Sequence, residues 1–372
     1  MGLETGDEKP PADNARRRVR TPYADLPAYQ IWRRSVGGSR ADVDPQHGAR
    51  FSIDRRTRIA SAGSCFAAEI ASRLRSASYA YHVTEPGPMW ESREARAARH
   101  YGHYSARYSD LYTALHLLQL AQRCVGRFSP EEPAWHGAGV YRDPFRPRIE
   151  PNGFPTLAAL EADRATHLAA VRRLFSETDV FIFTLGLTET WRSRLDGAAF
   201  PVCPGTQFGT FDEDRYYFEN LSVEQTVAAL EEFLAIAHEL NPKLRVILTV
   251  SPVPLAATME PRHVLQSTVY SKSVLRIAAE RIRATHANVD YFASYEIVTM
   301  LGNLADSFEP DGRTVKQEAV DRVMASFFRA YAADEGVPIA TLNETPHAAT
   351  VADPCDDEFF LNYIAEQRKS NT

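Results

Sequence analysis

Between Arg58 and Arg75 the sequence reads RIASAGSCFAAEIASRLR: a short apolar run, a turn carrying Gly63-Ser64-Cys65, then the pattern of an amphipathic helix. A thiol at that junction lies where the first free backbone N–H groups of a helix point outward. Those groups and the positive end of the dipole favour an anion, so they favour the thiolate. Thiolate is the nucleophilic form, and an exposed turn leaves it accessible to a substrate. The plain alternative is a buried cysteine that packs as a small hydrophobe.

Other residues could complete such a site. His263 follows SPVPLAATMEP, a segment leaving a candidate strand, and an imidazole titrating near ~6.5 suits a proton carrier. A lone histidine is more often structural; His82 is the next candidate, and His100 and His103 could line the insertion but are more readily read as surface or packing residues. Glu189 could orient a histidine or bind a substrate hydroxyl; the alternative is a cap on a following element. Lys272, near the start of a helix in YSKSVLR, could meet a substrate anion or the glutamate, or simply face solvent. Trp191 offers an apolar or sugar-stacking wall, or core.

The elements that must position these residues alternate between strand and helix. Candidate strands are Arg58–Ala62, Tyr79–Val83, Val180–Leu185, Leu244–Val250 and Val289–Ala293. Runs such as VFIFTL and RVILTV have the continuous apolar character of strands buried on both faces. Helices are expected at Ser109–Arg123, Thr166–Ser176, Ser222–Glu239 (opened by a Ser-x-x-Gln capping box), Val269–Ala284 and Val315–Ala332. This alternation favours a five-stranded parallel sheet with helices on both faces. In such sheets ligands sit beyond the carboxyl ends of the strands. Four segments fall there: Gly63-Ser64-Cys65, Pro86-Gly87, Gly186-Leu187-Thr188-Glu189 and Ser251-Pro252-Val253-Pro254. Their convergence makes Cys65 the favoured nucleophile.

The 372 residues suffice for one large domain, and 44% apolar with 24% charged residues is a globular composition. Residues 1–50 read as a polar arm with a packed strap at 21–36, residues 51–333 as the main domain with an insertion at about 84–160, and 334–372 as an irregular tail. A net charge of −6 gives no global pull toward nucleic acid or an anionic membrane. The Arg16-Arg17-Arg18 cluster, with Arg20, reads as a solvated arm. No stretch approaches the ~20 apolar residues of a membrane span. Four scattered cysteines without a CxxC point to reduced thiols and a cytoplasmic protein, with Cys124, Cys203 and Cys355 structural. No His/Asp/Glu set has ligand spacing, so no metal or other cofactor is expected.

Gly63-Ser64-Cys65-Phe66-Ala67, followed by TLGLTETW (Thr184–Trp191), LTVSPVPL (Leu248–Leu255), YSKSVLR (Tyr270–Arg276) and YFASYEIV (Tyr291–Val298), resembles the GSCFA family over roughly residues 20–330. That family is grouped with the SGNH, or GDSL-like, hydrolases. The resemblance implies a flavodoxin-like three-layer α/β/α sandwich and acyl-ester chemistry. It puts Cys65 at the place of the nucleophilic serine and Ser64 at that of the preceding aspartate. The backbone N–H of Cys65 would be one oxyanion donor and Gly87 a second. Gly186-Leu187-Thr188-Glu189 would stand for the Gly-x-Asn-Asp block, with the Thr188 hydroxyl replacing the asparagine donor. The base is expected in Asp-x-x-His, but here Asp311-Gly312-Arg313-Thr314 ends in threonine. His263 could serve instead, or an ionised thiol could act without a strong base, or the site binds and no longer hydrolyses. The expected function is that of an esterase or acyltransferase on a small-molecule or carbohydrate acyl substrate. The alternative is a non-catalytic glycan- or metabolite-binding protein.

Overall fold

The computed structural model describes residues 21–37, 43–301 and 304–333, with Tyr363 and Ala365 beyond them. The arm before residue 21, the tail from Asp334 and Cys355 lie outside the described residues. The chain divides into a unit ending at Val43 and a main unit that begins at Asp44. In the first, two 3-10 turns (Pro22–Asp25 and Ala28–Gln30) precede the one-turn α1 (Trp32–Ser35), and none of their residues is buried. Tyr23, Tyr29 and Trp32 of this unit are exposed.

The main unit runs β1 (Ile59–Ala62), α2 (Cys65–Ser76), α3 (Arg93–Ala98), α4 (Ala114–Cys124), a hairpin of β2 (Trp135–Gly137) and β3 (Val140–Arg142), and α5 (Leu157–Glu177). It continues with β4 (Val180–Leu185), β5 (Glu189–Ser193), β6 (Ala199–Phe200), β7 (Tyr216–Asn220), α6 (Val223–Leu240), β8 (Arg245–Val250), α7 (Val264–Thr285) and β9 (Val289–Phe292). Three helices close it: α8 (Ser294–Met300), α9 (Leu304–Ser307) and α10 (Gln317–Tyr331). The central sheet is parallel, in the order β1-β4-β8-β9. Every residue of β4 is buried, as its unbroken apolar run requires.

Side chains alternate between two cores. Ala60, Phe181, Phe183, Val246 and Leu248 face α4, α5, α6 and α7. Ile59, Val180, Ile182, Ile247 and Phe292 face α2, α8 and α10. A fully buried Phe contributes about 1.5–3 kcal/mol of transfer free energy, so Phe181 and Phe183 (both 0% exposed) anchor the sheet strongly.

The expected five-stranded sheet has four strands. Tyr79–Val83 survives only as a bridge between Tyr81 and Ile59. Beyond that point Ser105 takes the edge: its Oγ accepts from the Ser61 N–H (3.1 Å) and its carbonyl from the Thr84 N–H (2.8 Å). The sequence pattern also hid an antiparallel sheet, β6-β5-β7, that carries Trp191.

Residues 44–50, assigned above to the arm, belong to the main unit. Asp44 accepts from Ser326 Oγ (2.7 Å), the Arg50 N–H donates to Asp290 (2.9 Å), and the Ile53 N–H donates to the Tyr331 carbonyl (2.8 Å). Among the described residues no helix is long and apolar enough to cross a membrane.

Candidate functional site

Cys65 is the first residue of the twelve-residue α2, three positions beyond the end of β1. Its side chain is half-buried. Ser64 is the N-cap in extended conformation; its carbonyl accepts from the Ala67 N–H (2.8 Å), while its hydroxyl makes no capping bond. That leaves the earliest N–H groups of α2 directed at the turn, as helix geometry dictates. Gly63 is fixed by two constraints. Its φ is +150°, and a Cβ there would lie 2.8 Å from the Cβ atoms of both Ala67 and Thr184.

The sulfur of Cys65 is in a disulfide, whereas Cys124 and Cys203 are free. This corrects the expectation of uniformly reduced thiols. Burial pushes the two free thiols up to about 12, so they stay protonated and inert, as the sequence reading of them as structural requires.

The neighbour of the turn is a segment that the motifs did not single out, Tyr108–Tyr112. The Leu111 N–H donates to the Gly63 carbonyl (2.8 Å), and the Tyr108 hydroxyl donates to the Ser61 carbonyl. Asp110, buried, accepts from Tyr104 Oη (2.6 Å) and Tyr112 Oη (3.4 Å). Ser109 adopts φ +61° while 2% exposed. A buried non-glycine residue in that region persists only where its surroundings force it. Next, the N–H groups of Gly186 and Leu187 both donate to the Tyr112 carbonyl (2.9 and 3.1 Å). The Cys65 turn, the Tyr108–Tyr112 segment and the loop after β4 therefore form one hydrogen-bonded run.

The loop after β4 is clamped from behind. Lys272, 1% exposed, donates Nζ to the Gly186 carbonyl (2.6 Å). The Thr188 N–H donates to Ser271 Oγ (3.0 Å). Thr188 itself is fully buried, and its hydroxyl donates to Asn220 Oδ1 (2.6 Å), whose Nδ2 donates to Glu260 (2.8 Å). The hydrogen assigned to an oxyanion is thus committed to Asn220. Glu189, raised in pKa by burial, accepts from Thr258 Oγ1 (2.6 Å) and the Met259 N–H (3.3 Å). It anchors the loop that follows β8.

A family model matches residues 58–327, a span that includes every segment just described. The chain belongs to the GSCFA family. No curated protein matches the chain.

Within this GSCFA domain the remaining candidates disperse. His263 is exposed and is the N-cap of α7, its Nδ1 accepting from the Leu265 N–H (3.1 Å). Gly87 has φ +79°, and a Cβ there would come within 2.7 Å of the Tyr101 ring, so close packing alone requires glycine. Asp311 closes an Asx turn: Oδ1 accepts from the N–H groups of Arg313 and Thr314 (2.8 and 2.9 Å), and Oδ2 from Thr314 Oγ1 (2.6 Å). Those bonds lower its pKa against the burial that raises it. His82 lies 3.2 Å from Glu177, the last residue of α5. Trp191 packs edge-on to Phe211 and Phe218. Among the described residues no three His, Cys, Asp or Glu side chains converge as metal ligands.

Proposed function

We propose that this GSCFA protein is an acyl-transfer enzyme of the SGNH type in which Cys65 is the nucleophile once a dithiol reductant has opened its disulfide by thiol–disulfide exchange, itself becoming oxidised. The observation that carries the reading is the position of Cys65, half-buried on the first turn of α2 at the carboxyl end of a parallel strand. The thiolate Sγ forms a bond to the carbonyl carbon of an ester or thioester, and the carbonyl π electrons move to oxygen. N–H groups at the start of α2 receive that oxyanion. The bond to the leaving alkoxide or thiolate then breaks, and the leaving group takes a proton from solvent. Water, or an alcohol acceptor, attacks the acyl-thioenzyme and releases the acid or new ester, with its proton passing to solvent as the thiolate is restored. A thiolate formed by its own turn attacks without a strong base, which suits a chain with Thr314 at the expected histidine. The substrate is a small-molecule or carbohydrate acyl compound. The reduced thiol that the step requires fits a reducing compartment such as the cytoplasm.

A second reading, a non-catalytic binder of a glycan or metabolite, is favoured by one observation. The polar groups of the expected oxyanion and base positions, Thr188 and Asp311, bond to protein partners instead of facing a reactant. The two readings separate in one experiment. Protein freed of the disulfide by reduction is incubated with activated esters and acyl-thioesters, and intact mass is recorded for wild type and Cys65→Ala. The enzyme reading predicts an acyl adduct on wild type alone. No adduct and no turnover from folded, reduced protein sinks it in favour of binding.

A further inference from the structure

A small cavity of about 20 Å³ lies between α4, the loop after β3 and the Tyr108–Leu111 segment, with Asp110, His116, Arg123, Phe145 and Arg146 in its wall. Two of these side chains are buried guanidinium groups, Arg123 at 6% and Arg146 at 1% exposure. Nε and Nη2 of Arg123 and Nη1 of Arg146 have no hydrogen-bond partner among the described residues. Burial lowers the Arg123 guanidinium to about 10, so it remains a cation at neutral pH.

The nearby carboxylates balance the arginines in number, but among the described residues none hydrogen-bonds to Arg123, and those beside Arg146 are shared with other arginines. Asp143 accepts from Arg146 Nε and Nη2 (3.1 and 3.0 Å) and also from Arg164 (3.3 Å). Asp163 accepts from Arg146 (2.9 Å) but is shared with Arg107 (2.6 Å). The Asp110 carboxylate is engaged by Tyr104 and Tyr112, and Glu85 by His167 (2.7 Å) and the Arg107 N–H (2.7 Å). His116 is neutral, pushed down to about 4 by burial. The Phe145 ring face, 3.9 Å from the Arg123 guanidinium carbon, supplies only its quadrupole.

We propose that this cavity is a binding site for a small monoanion, either a halide ion or the carboxylate group of a larger molecule. Three buried donors on two cations call for an acceptor with more than two lone pairs and no hydrogens of its own, which a water molecule is not. The volume accommodates about two water-sized atoms, room for one halide ion or the two oxygens of a carboxylate and too little for phosphate or sulfate. The site does not depend on the acyl-transfer reading.

The test measures thermal unfolding of the full chain at constant ionic strength, replacing sodium methanesulfonate by sodium bromide or sodium formate. The expected result is a saturable rise in Tm of a few degrees with either anion. Arg123→Met abolishes the rise, whereas Arg127→Met, at an exposed arginine, keeps it. A second measurement stands even if Arg123→Met fails to fold: crystals grown in bromide should give an anomalous peak between Arg123 and Arg146. Loss of that peak on adding formate identifies a carboxylate-accepting site, and its persistence a halide site. A shift that never saturates and is equal in both variants overturns the proposal, as does a map with water alone at that position.

Discussion

The turn that carries Cys65 and the turn that carries Asp311 and Thr314 are built on opposite plans. At the first, backbone dictates everything: Gly63 is pressed against Thr184 and Ala67, its carbonyl is bonded to Leu111, and α2 begins at the thiol. At the second, side chains close on their neighbours, with Asp311 accepting two backbone N–H groups and the Thr314 hydroxyl. One turn fixes the position of a cysteine; the other satisfies only itself. On the proposed reading, the nucleophile position is kept while its expected acid–base partner is a surface turn.

Three substitutions test how deep that contrast runs. The largest effect belongs to Gly63→Ala, which forces a Cβ into a closed space at positive φ. It should lower unfolding free energy by about 3 kcal/mol in urea denaturation, and remove acyl-adduct formation by displacing α2. A neutral result would mean that the turn is not held as described.

Thr188→Ala comes next. It breaks a buried bond to Asn220 and should cost about 1–2 kcal/mol, while the acylation rate of folded protein falls less than tenfold. An oxyanion donor would instead cost about 10²–10³-fold, and a loss of that size would restore Thr188 to the reactive side.

Asp311→Asn is the smallest. Because the folded pKa of Asp311 lies below the ordinary 3.8, its contribution is present at neutral pH and is lost as pH falls below about 4. Exposure limits it to under about 1 kcal/mol. The variant should converge on wild type in acid unfolding as the folded carboxyl becomes protonated, and match it in acylation at pH 7. A tenfold slower acylation would make Asp311 part of the chemistry and erase the contrast.

Much of this was legible in the residues. The apolar runs of β4 and β8 have no solvent face, and the Ser222–Gln225 box that opens α6 forms both of its bonds (3.2 and 2.8 Å). The fifth strand failed because pairing is decided by the partner edge, where Ser105 displaces the chain after His82. The helix expected from Ser109 begins at Ala114, since Ser109 adopts a left-handed conformation and the cap is a Thr113–His116 box. The same misreading hid Asp110, Leu111 and Tyr112 from the site. A threonine ahead of an apolar run was the available signal, read too early in the chain. Lys272, Thr188 and Glu189 were found as residues, but their roles depended on Gly186, Asn220 and Thr258, contacts that no local pattern encodes.

The central claim is that the start of α2 makes Cys65 the reactive thiol of this chain. It is tested most directly by the pH dependence of iodoacetamide alkylation in reduced, folded protein, read cysteine by cysteine by peptide mass spectrometry. The account predicts a midpoint for Cys65 below the ~8.5 of an ordinary thiol, with Cys124 and Cys203 unlabelled across the same range because burial holds both near about 12. A Cys65 midpoint at or above that of an ordinary thiol, or labelling no faster than Cys203, would contradict it.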